Sequence, residues 1–398
     1  MMISSASTEF GAIDVLILGG GPAGSAAAIE LALADRRVAL LERTLHAHDK
    51  VCGDFLSAEA LSTLRALGVD PAALGSVSVH RVHFAGPFGV SSATLPFTAQ
   101  SLTRRVLDDA LLQRASAAGA LVLRGHSAES LHRTNSSWHV GVSGPTRNYT
   151  LTARHILLAT GKHDLRGLPR PAGIHTDLIG LKMYLRLAPA QIEALKDAIE
   201  LVLFHGGYGG LSLVENNMAN LCFVIDRSQL RDLGRDWPAI LATLGRNAHF
   251  RRRLAGSQSL LERPLAISPI PYGLLLHHAI AEDLFAIGDQ AAVIPSFTGD
   301  GLALALHSGR LAGRTLLAGR PSQHFQAELH DQLRRQISLA TVLSRALISR
   351  PQRTALSFAL RAFPGLLSVV ASQTRIAPVH QLGPESAASP RENTCTAA

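Results

Sequence analysis

An apolar run, Val15-Leu16-Ile17-Leu18, passes directly into Gly19-Gly20-Gly21-Pro22-Ala23-Gly24 and then into an alanine-rich helical stretch reaching about Ala34. This glycine-rich turn between strand and helix constrains the fold more than any other feature, because it is the signature of a βαβ unit that binds a nucleotide. Gly19 permits the tight turn, Gly21 lets the backbone approach a pyrophosphate, and Gly24 allows the helix to pack closely on the strand. The helix start, with Pro22 and Ala23, turns free N–H groups and the positive end of the helix dipole toward a diphosphate. A second strand, Val38-Ala39-Leu40-Leu41, ends at Glu42 and Arg43. Glu42 is placed to bond the ribose hydroxyls of an adenosine and would repel a 2′-phosphate, so the site is expected to take FAD or NAD and not NADP.

Further along, a helix is expected from Ser57 to Leu67, strands around His80 to Phe84 and Gly89 to Leu95, and a helix from about Leu102 to Ala117. Short strands end in the apolar Ile156-Leu157-Leu158 before Gly161, and Pro169 and Pro171 mark a boundary. A β-rich second unit follows, with strands at Leu181 to Leu187, Leu201 to His205 and Leu221 to Ile225 and helices at Pro189 to Ile199 and Trp237 to Arg253. A buried strand returns at Leu284 to Ile287, a helix begins near Gly301, and Pro321, Pro351 and Pro364 break the remaining helical stretch. The expected fold is α/β: a Rossmann-like FAD-binding domain with an inserted β-rich substrate domain and C-terminal helices. Its boundaries are read as 1–169 and 280–335 for the two parts of the FAD-binding domain, 170–279 for the substrate domain, 336–380 for a C-terminal helical segment and 381–398 for a disordered tail.

Three scattered cysteines, Cys52, Cys222 and Cys395, argue against disulfides and structural zinc, and no metal is expected. With neither a visible export signal nor an apolar run long enough to span a bilayer, a cytoplasmic protein is expected. The formal charge is +8, and 301–381 alone carries ten Arg against Glu328 and Asp331. No stacking-aromatic or zinc-finger pattern accompanies that charge, which excludes nucleic acid as the expected partner. The arginines alternate with apolar residues such as Leu339, Val342 and Leu343, a pattern that fits core packing or peripheral membrane contact by C-terminal helices.

The choice between FAD and NAD rests on residues far downstream. Gly288-Asp289 follows the strand at Leu284 to Ile287, and Pro295 and Gly299-Asp300-Gly301 open the next helix. Arg104 with Leu107, Asp108 and Leu111 forms an Arg-x-x-Leu-Asp-x-x-Leu segment, with Arg105 as the adjacent competitor, and Ala159-Thr160-Gly161 follows a buried strand. Together these resemble the family of para-hydroxybenzoate hydroxylase and geranylgeranyl reductase, the group A flavoprotein monooxygenase superfamily. The resemblance is strong over the N-terminal third and residues 284–316 and weak elsewhere. It implies that Asp289, after Gly288, meets the ribityl and phosphate oxygens of FAD. It places Pro295, Gly299, Asp300 and Gly301 beside the flavin ring, Arg104 on the phosphate or ribose, and Thr160 and Gly161 along the adenosine half.

Lys50-Val51-Cys52-Gly53-Asp54 looks like the Cys-Gly loop of geranylgeranyl reductases, which puts Cys52 and Gly53 near the flavin. The aromatic Tyr-x-Trp-x-Phe-Pro motif of those reductases is reduced here to Tyr208, and the Trp-x-Trp-x-Ile-Pro motif of flavin halogenases is absent. Cys52 and Tyr208 are therefore the two candidate catalytic residues, each with packing as the plain alternative.

The resemblance implies an FAD-dependent monooxygenase, with NAD(P)H as transient reductant, that hydroxylates an aromatic, polyketide-like or lipophilic small molecule through a flavin C4a-hydroperoxide. One alternative is a reductase that saturates C=C bonds of an isoprenoid or related lipid. Another is a non-catalytic flavin-binding partner protein.

Overall fold

The computed structural model describes residues 12–134, 137–174, 177–363 and 365–376. The expected tail at 381–398, with Cys395, lies outside them. Two sheets organise the chain. The first has the order β6-β2-β1-β9-β8-β7, with β16 also paired to β9. These strands are β1 (Ile13–Leu18), β2 (Val38–Glu42), β6 (Leu121–Arg124), β7 (Ser127–Arg133), β8 (Trp138–Ser143), β9 (Asn148–Leu158) and β16 (Leu284–Ala286). Strands β6, β2, β1, β9 and β16 run parallel, β8 adds antiparallel to β9, and β7 adds antiparallel to β8. The register Val15↔Val38 and Val15↔His155 sets β1 between β2 and β9, the strand that leads into Ala159.

Helix α1 (Pro22–Leu33) starts at the N-cap Gly21 and packs against α8 (Gly301–Leu317). The contact requires small residues: a Cβ at Gly309 of α8 would come within 2.1 Å of the Ala23 carbonyl oxygen. A buried ion pair between Glu30 and Arg310 ties the same two helices. Helix α2 (Ala58–Ala66) is capped by Ser57, and α3 (Arg104–Ala117) by Thr103, whose hydroxyl accepts the Val106 N–H.

The second sheet has the order β14-β10-β13-β12-β11-β4-β5-β3, with β15 on β10. Its strands are β3 (Phe55–Leu56), β4 (Val77–Gly86), β5 (Gly89–Ser101), β10 (Leu178–Arg186), β11 (Ala198–Phe204), β12 (Gly207–Leu213), β13 (Ala219–Asp226), β14 (Gln258–Ser259) and β15 (Leu265–Ile267). Strands β3, β4 and β5 thus belong to this sheet, although they fall within the 1–169 expected for the FAD-binding domain. The join is the parallel pairing of β4 with β11, Arg81 opposite Ala198, and no local pattern encodes a contact over that separation. The remaining helices are α4 (Pro189–Leu195), α5 (Arg227–Asp232), α6 (Trp237–Leu244), α7 (Ala248–Arg253), α9 (Ser322–Ile348), α10 (Arg350–Ala362) and α11 (Gly365–Gln373).

Three expectations shift. Helix α4 stops before Ile199, which joins β11, because Asp197 takes the left-handed φ of 55° and ends the helix. The helix expected from Trp237 to Arg253 is two, α6 and α7, parted at Gly245 with Asn247 capping the second. The boundary at 335 falls inside α9, which is continuous because its buried face, Leu329, Leu333, Ile337 and Ala340, keeps helical spacing across it.

Candidate functional site

Two cavities meet between the sheets. The first is a groove of about 420 Å³ running over the C-terminal ends of β1 and β2, from Gly19–Ala23 and Glu42 to Gly288 and Asp289. The second, of about 250 Å³, lies between β10–β13, the 293–302 loop and the C-terminal helices. They share Val51, Arg104, Lys162, Ile267, Asp289 and Leu302, so together they form one continuous passage. A groove at the strand ends of a parallel sheet, where the strand order turns back, is where this architecture holds its ligands.

The backbone opens the groove. Gly19 adopts φ +119°, and a Cβ there would lie 2.4 Å from the Ala159 carbonyl oxygen. At Gly24 a Cβ would sit 2.0 Å from the Gly19 carbonyl oxygen. Those two glycines make the turn and the packing. Gly21 meets only the Arg104 guanidinium, at 3.6 Å, which leaves a cradle open for a phosphate.

Charge along the groove is fixed by pairing. The Glu42 carboxylate accepts the Gly20 N–H at 3.0 Å and the Thr44 N–H and hydroxyl at 3.0 and 2.8 Å. Burial pushes its carboxyl up, but Lys50 and these hydrogen bonds outweigh that and hold it below the usual range. Arg104 is locked by two bonds to Asp108, at 2.7 and 2.8 Å, and Lys50 reaches the same carboxylate at 2.8 Å. Lys162 donates to Asp289 at 2.7 Å across the groove. Arg43 also lines the groove, so cations surround the place where the glycine turn offers its N–H groups. Open glycines, a fixed carboxylate for ribose and cations for a diphosphate fit FAD.

Residues 12–167 match the family described as FAD binding domain. The protein is an FAD-dependent oxidoreductase. Several solved structures share its fold. One is a geranylgeranyl bacteriochlorophyll reductase-like protein from Thermoplasma acidophilum, with TM-score 0.68 and 20% identity over 92% of this chain and 94% of that one. Another is a Pseudomonas aeruginosa chain described as a probable FAD-dependent monooxygenase, with TM-score 0.66 and 19% identity over 86% and 98%. Among curated proteins, menaquinone reductase from Mycobacterium tuberculosis is 25% identical over 345 residues, 83% of each chain.

In this flavoprotein Gly19, Gly21, Pro22, Ala23, Glu42, Arg43, Thr160, Gly161 and Gly288 line the groove. Cys52, Gly53, Tyr208, Gly299 and Gly301 line the second cavity, and Arg104 and Asp289 line both. Three candidates lie elsewhere. Gly24 packs helix on strand. The Pro295 side chain is buried off the passage, and its carbonyl accepts the Thr298 hydroxyl at 2.9 Å. Asp300 is fully buried and does not itself line the passage; its carboxylate accepts from Arg375 at 2.7 Å and Gln336 at 2.6 Å. Burial lifts its carboxyl to about 6 against the pull of Arg375. Competition between Arg104 and Arg105 is decided by α3, which turns Arg104 inward and leaves Arg105 exposed.

The two catalytic candidates share the second cavity but do not bond to each other. Cys52 accepts the Asp54 N–H at 3.4 Å through Sγ, and its carbonyl takes the Asn220 side-chain amide at 3.1 Å. Tyr208 lies 3.4 Å from the Ser296 hydroxyl and edge-on to Phe297. Burial raises both Tyr208 and the neighbouring Tyr272, so each phenol is neutral at neutral pH.

Sequence reasoning missed Lys162, Tyr272, Ser296 and Arg375, which all line the second cavity. It also missed the buried pair beneath the Cys-Gly loop. Asp54, at the left-handed φ of 56°, points inward to Lys182 Nζ at 2.5 Å and the Tyr184 hydroxyl at 3.0 Å. A lone Lys in the apolar β10 run Leu178–Arg186 was the one available signal, since a buried ammonium demands a partner. Among the described residues no cluster of His, Cys, Asp or Glu could hold a metal ion.

Proposed function

We propose that this flavoprotein is a monooxygenase that hydroxylates an amphiphile with a phenolic or polyketide-like ring and a long aliphatic tail, with NAD(P)H as the reductant. The observation that carries the reading is the mixed lining of the second cavity. Tyr208, Tyr272 and Ser296 give it hydroxyl groups, and Leu343, Leu347, Leu356, Leu360 and Leu367 of α9–α11 give it a broad apolar wall. A ring with hydroxyl groups finds partners among the first, and a hydrocarbon tail finds apolar contact along the second.

Bound and reduced FAD supplies the activation of oxygen. The chain's own residues do the rest. Neutral Tyr208 and Ser296 donate and accept hydrogen bonds that orient a ring hydroxyl, without taking its proton. Helix α8 starts at Gly301, just after Gly299, and its positive end at that face of the passage would stabilise negative charge on a bound, reduced flavin ring. Leucines of α9–α11 exclude water from the reacting centre. Arg104 and Lys162 stand where the groove and the cavity join and hold anionic charge there.

A second reading, saturation of a C=C bond, is supported by Cys52 in the cavity and by the relative named menaquinone reductase. An aerobic product screen by mass spectrometry with flavin-loaded protein separates the two. A gain of one oxygen matched by oxygen consumption is expected, whereas a gain of two hydrogens under anaerobic conditions would replace hydroxylation with saturation. Cys52→Ser sharpens the result: hydroxylation should stay within about threefold of the parent, while loss of a proton donor would cost a reductase about a hundredfold or more.

A further inference from the structure

Helices α9, α10 and α11 carry large apolar residues on their outer as well as their inner faces. Their inner residues, including Leu343, Leu360 and Leu367, line the second cavity. Their outer residues are exposed: Val342 by 61%, Phe358 by 64% and Phe363 by 67%, joined by Leu339, Leu366 and Val369. Of the twelve exposed large hydrophobic residues among those described, these six fall between 339 and 369, and a seventh, Phe88 at the β4–β5 tip, packs edge-on against Phe358 at 6.1 Å. A helix that only walls a core is polar on its outside, so such a concentration marks a surface that meets something.

Charge identifies the occupant. Each exposed apolar residue of α9 and α10 has an exposed arginine one turn away: Arg335 before Leu339, Arg345 after Val342 and Arg361 after Phe358. No Asp or Glu occurs from 332 to 384. A second copy docked through the same face would set arginine against arginine. An anionic lipid surface answers both features, because its headgroups take the guanidinium groups and its acyl layer takes the phenylalanines. No single helix among the described residues is long and apolar enough to cross a bilayer, and α10 and α11 meet at 116°. That geometry suits a corner pressed into one leaflet.

We propose that the outer face of α9–α11, with the corner at Phe363, docks this protein on an anionic membrane surface, and that the helix layer between this face and the cavity is the route by which a lipid-soluble substrate reaches the flavin. The route rests on the proposed function; the docking face does not. Flotation of flavin-loaded protein with phosphatidylcholine vesicles, with and without phosphatidylglycerol, tests it. Flotation is expected with the anionic vesicles and should weaken as salt is raised. Phe358→Ser with Phe363→Ser should lower vesicle binding about tenfold or more, and Arg361→Glu about tenfold. Both changes sit on exposed positions, and an unchanged flavin spectrum and melting temperature will show that the fold is intact. Protein that stays at the bottom of the gradient overturns the proposal, as does flotation that the variants leave unaltered. Light scattering that finds a dimer dissolved by the same serines overturns it in favour of a second copy. Absence of hydroxylated product in the screen above, with flotation intact, overturns the function reading and with it the route, and leaves the docking face standing.

Discussion

The two sheets handle buried charge in opposite ways. In β1 and β2 the only buried charged side chain is Glu42, at a strand end where it meets the Gly20 N–H; the rest of the strand interior is Val, Leu, Ile and Ala. In the second sheet, Lys182 and Glu200 sit mid-strand with no exposure and are matched by Asp54 and Arg253. The first sheet shapes its site with main chain and glycine, so its demands are steric and absolute. The second shapes its site with ion pairs between distant segments, so its demands are electrostatic and can be relieved by changing both partners.

The contrast is broken most severely at Gly24. Gly24→Val puts side-chain atoms where the Gly19 carbonyl already stands, so α1 cannot seat on β1. The expected outcome is insoluble or flavin-free protein, read from yield and flavin absorbance; normal flavin content would refute the steric account. Next comes Lys182→Met, which leaves the Asp54 carboxylate buried and unpaired and should cost about 3–5 kcal/mol in denaturant unfolding. The double variant Lys182→Met with Asp54→Asn should recover most of that loss, and a double variant as unstable as the single one would show that the pair does more than neutralise charge.

Smaller still is a pH effect at Glu200. Its carboxyl is pushed up by burial, but hydrogen bonds from His249, His83 and Arg253 outweigh that and hold it far below the usual carboxylate range. A carboxyl with a depressed folded value stabilises the fold above its unfolded value near 4.5 and loses that contribution as the pH falls below it. The unfolding free energy should therefore fall more steeply below about pH 4.5 in the parent than in Glu200→Gln, by at most about 1.4 kcal/mol per pH unit. Parallel slopes would assign the acid sensitivity to other carboxyls.

The same contrast explains what the sequence made legible. The glycine turn, Glu42 and Gly288-Asp289 are short-range signals whose chemistry is local, and the structure brings them to one groove. Lys162 was hidden because its partner Asp289 is 127 residues away. Asp54 stood next to the Cys-Gly loop, yet only the fold reveals that its carboxylate leaves the cavity for Lys182, 128 residues on. Asp300 is the complementary case: a motif places a backbone beside a ligand, but the folded chain alone shows that the carboxylate bonds Arg375 and Gln336.

Strand β16 lies beside β9, and α8 closes on α1, although the chain between β1 and β16 supplies the whole second sheet. During synthesis the N-terminal turn must wait for its other half. At about 5–20 residues per second, the ribosome needs roughly a quarter of a minute to most of a minute to make the intervening polypeptide. Over that interval the nascent chain lacks Gly309, which covers the flank of α1 in the finished fold, so the groove cannot be complete until translation has passed α8.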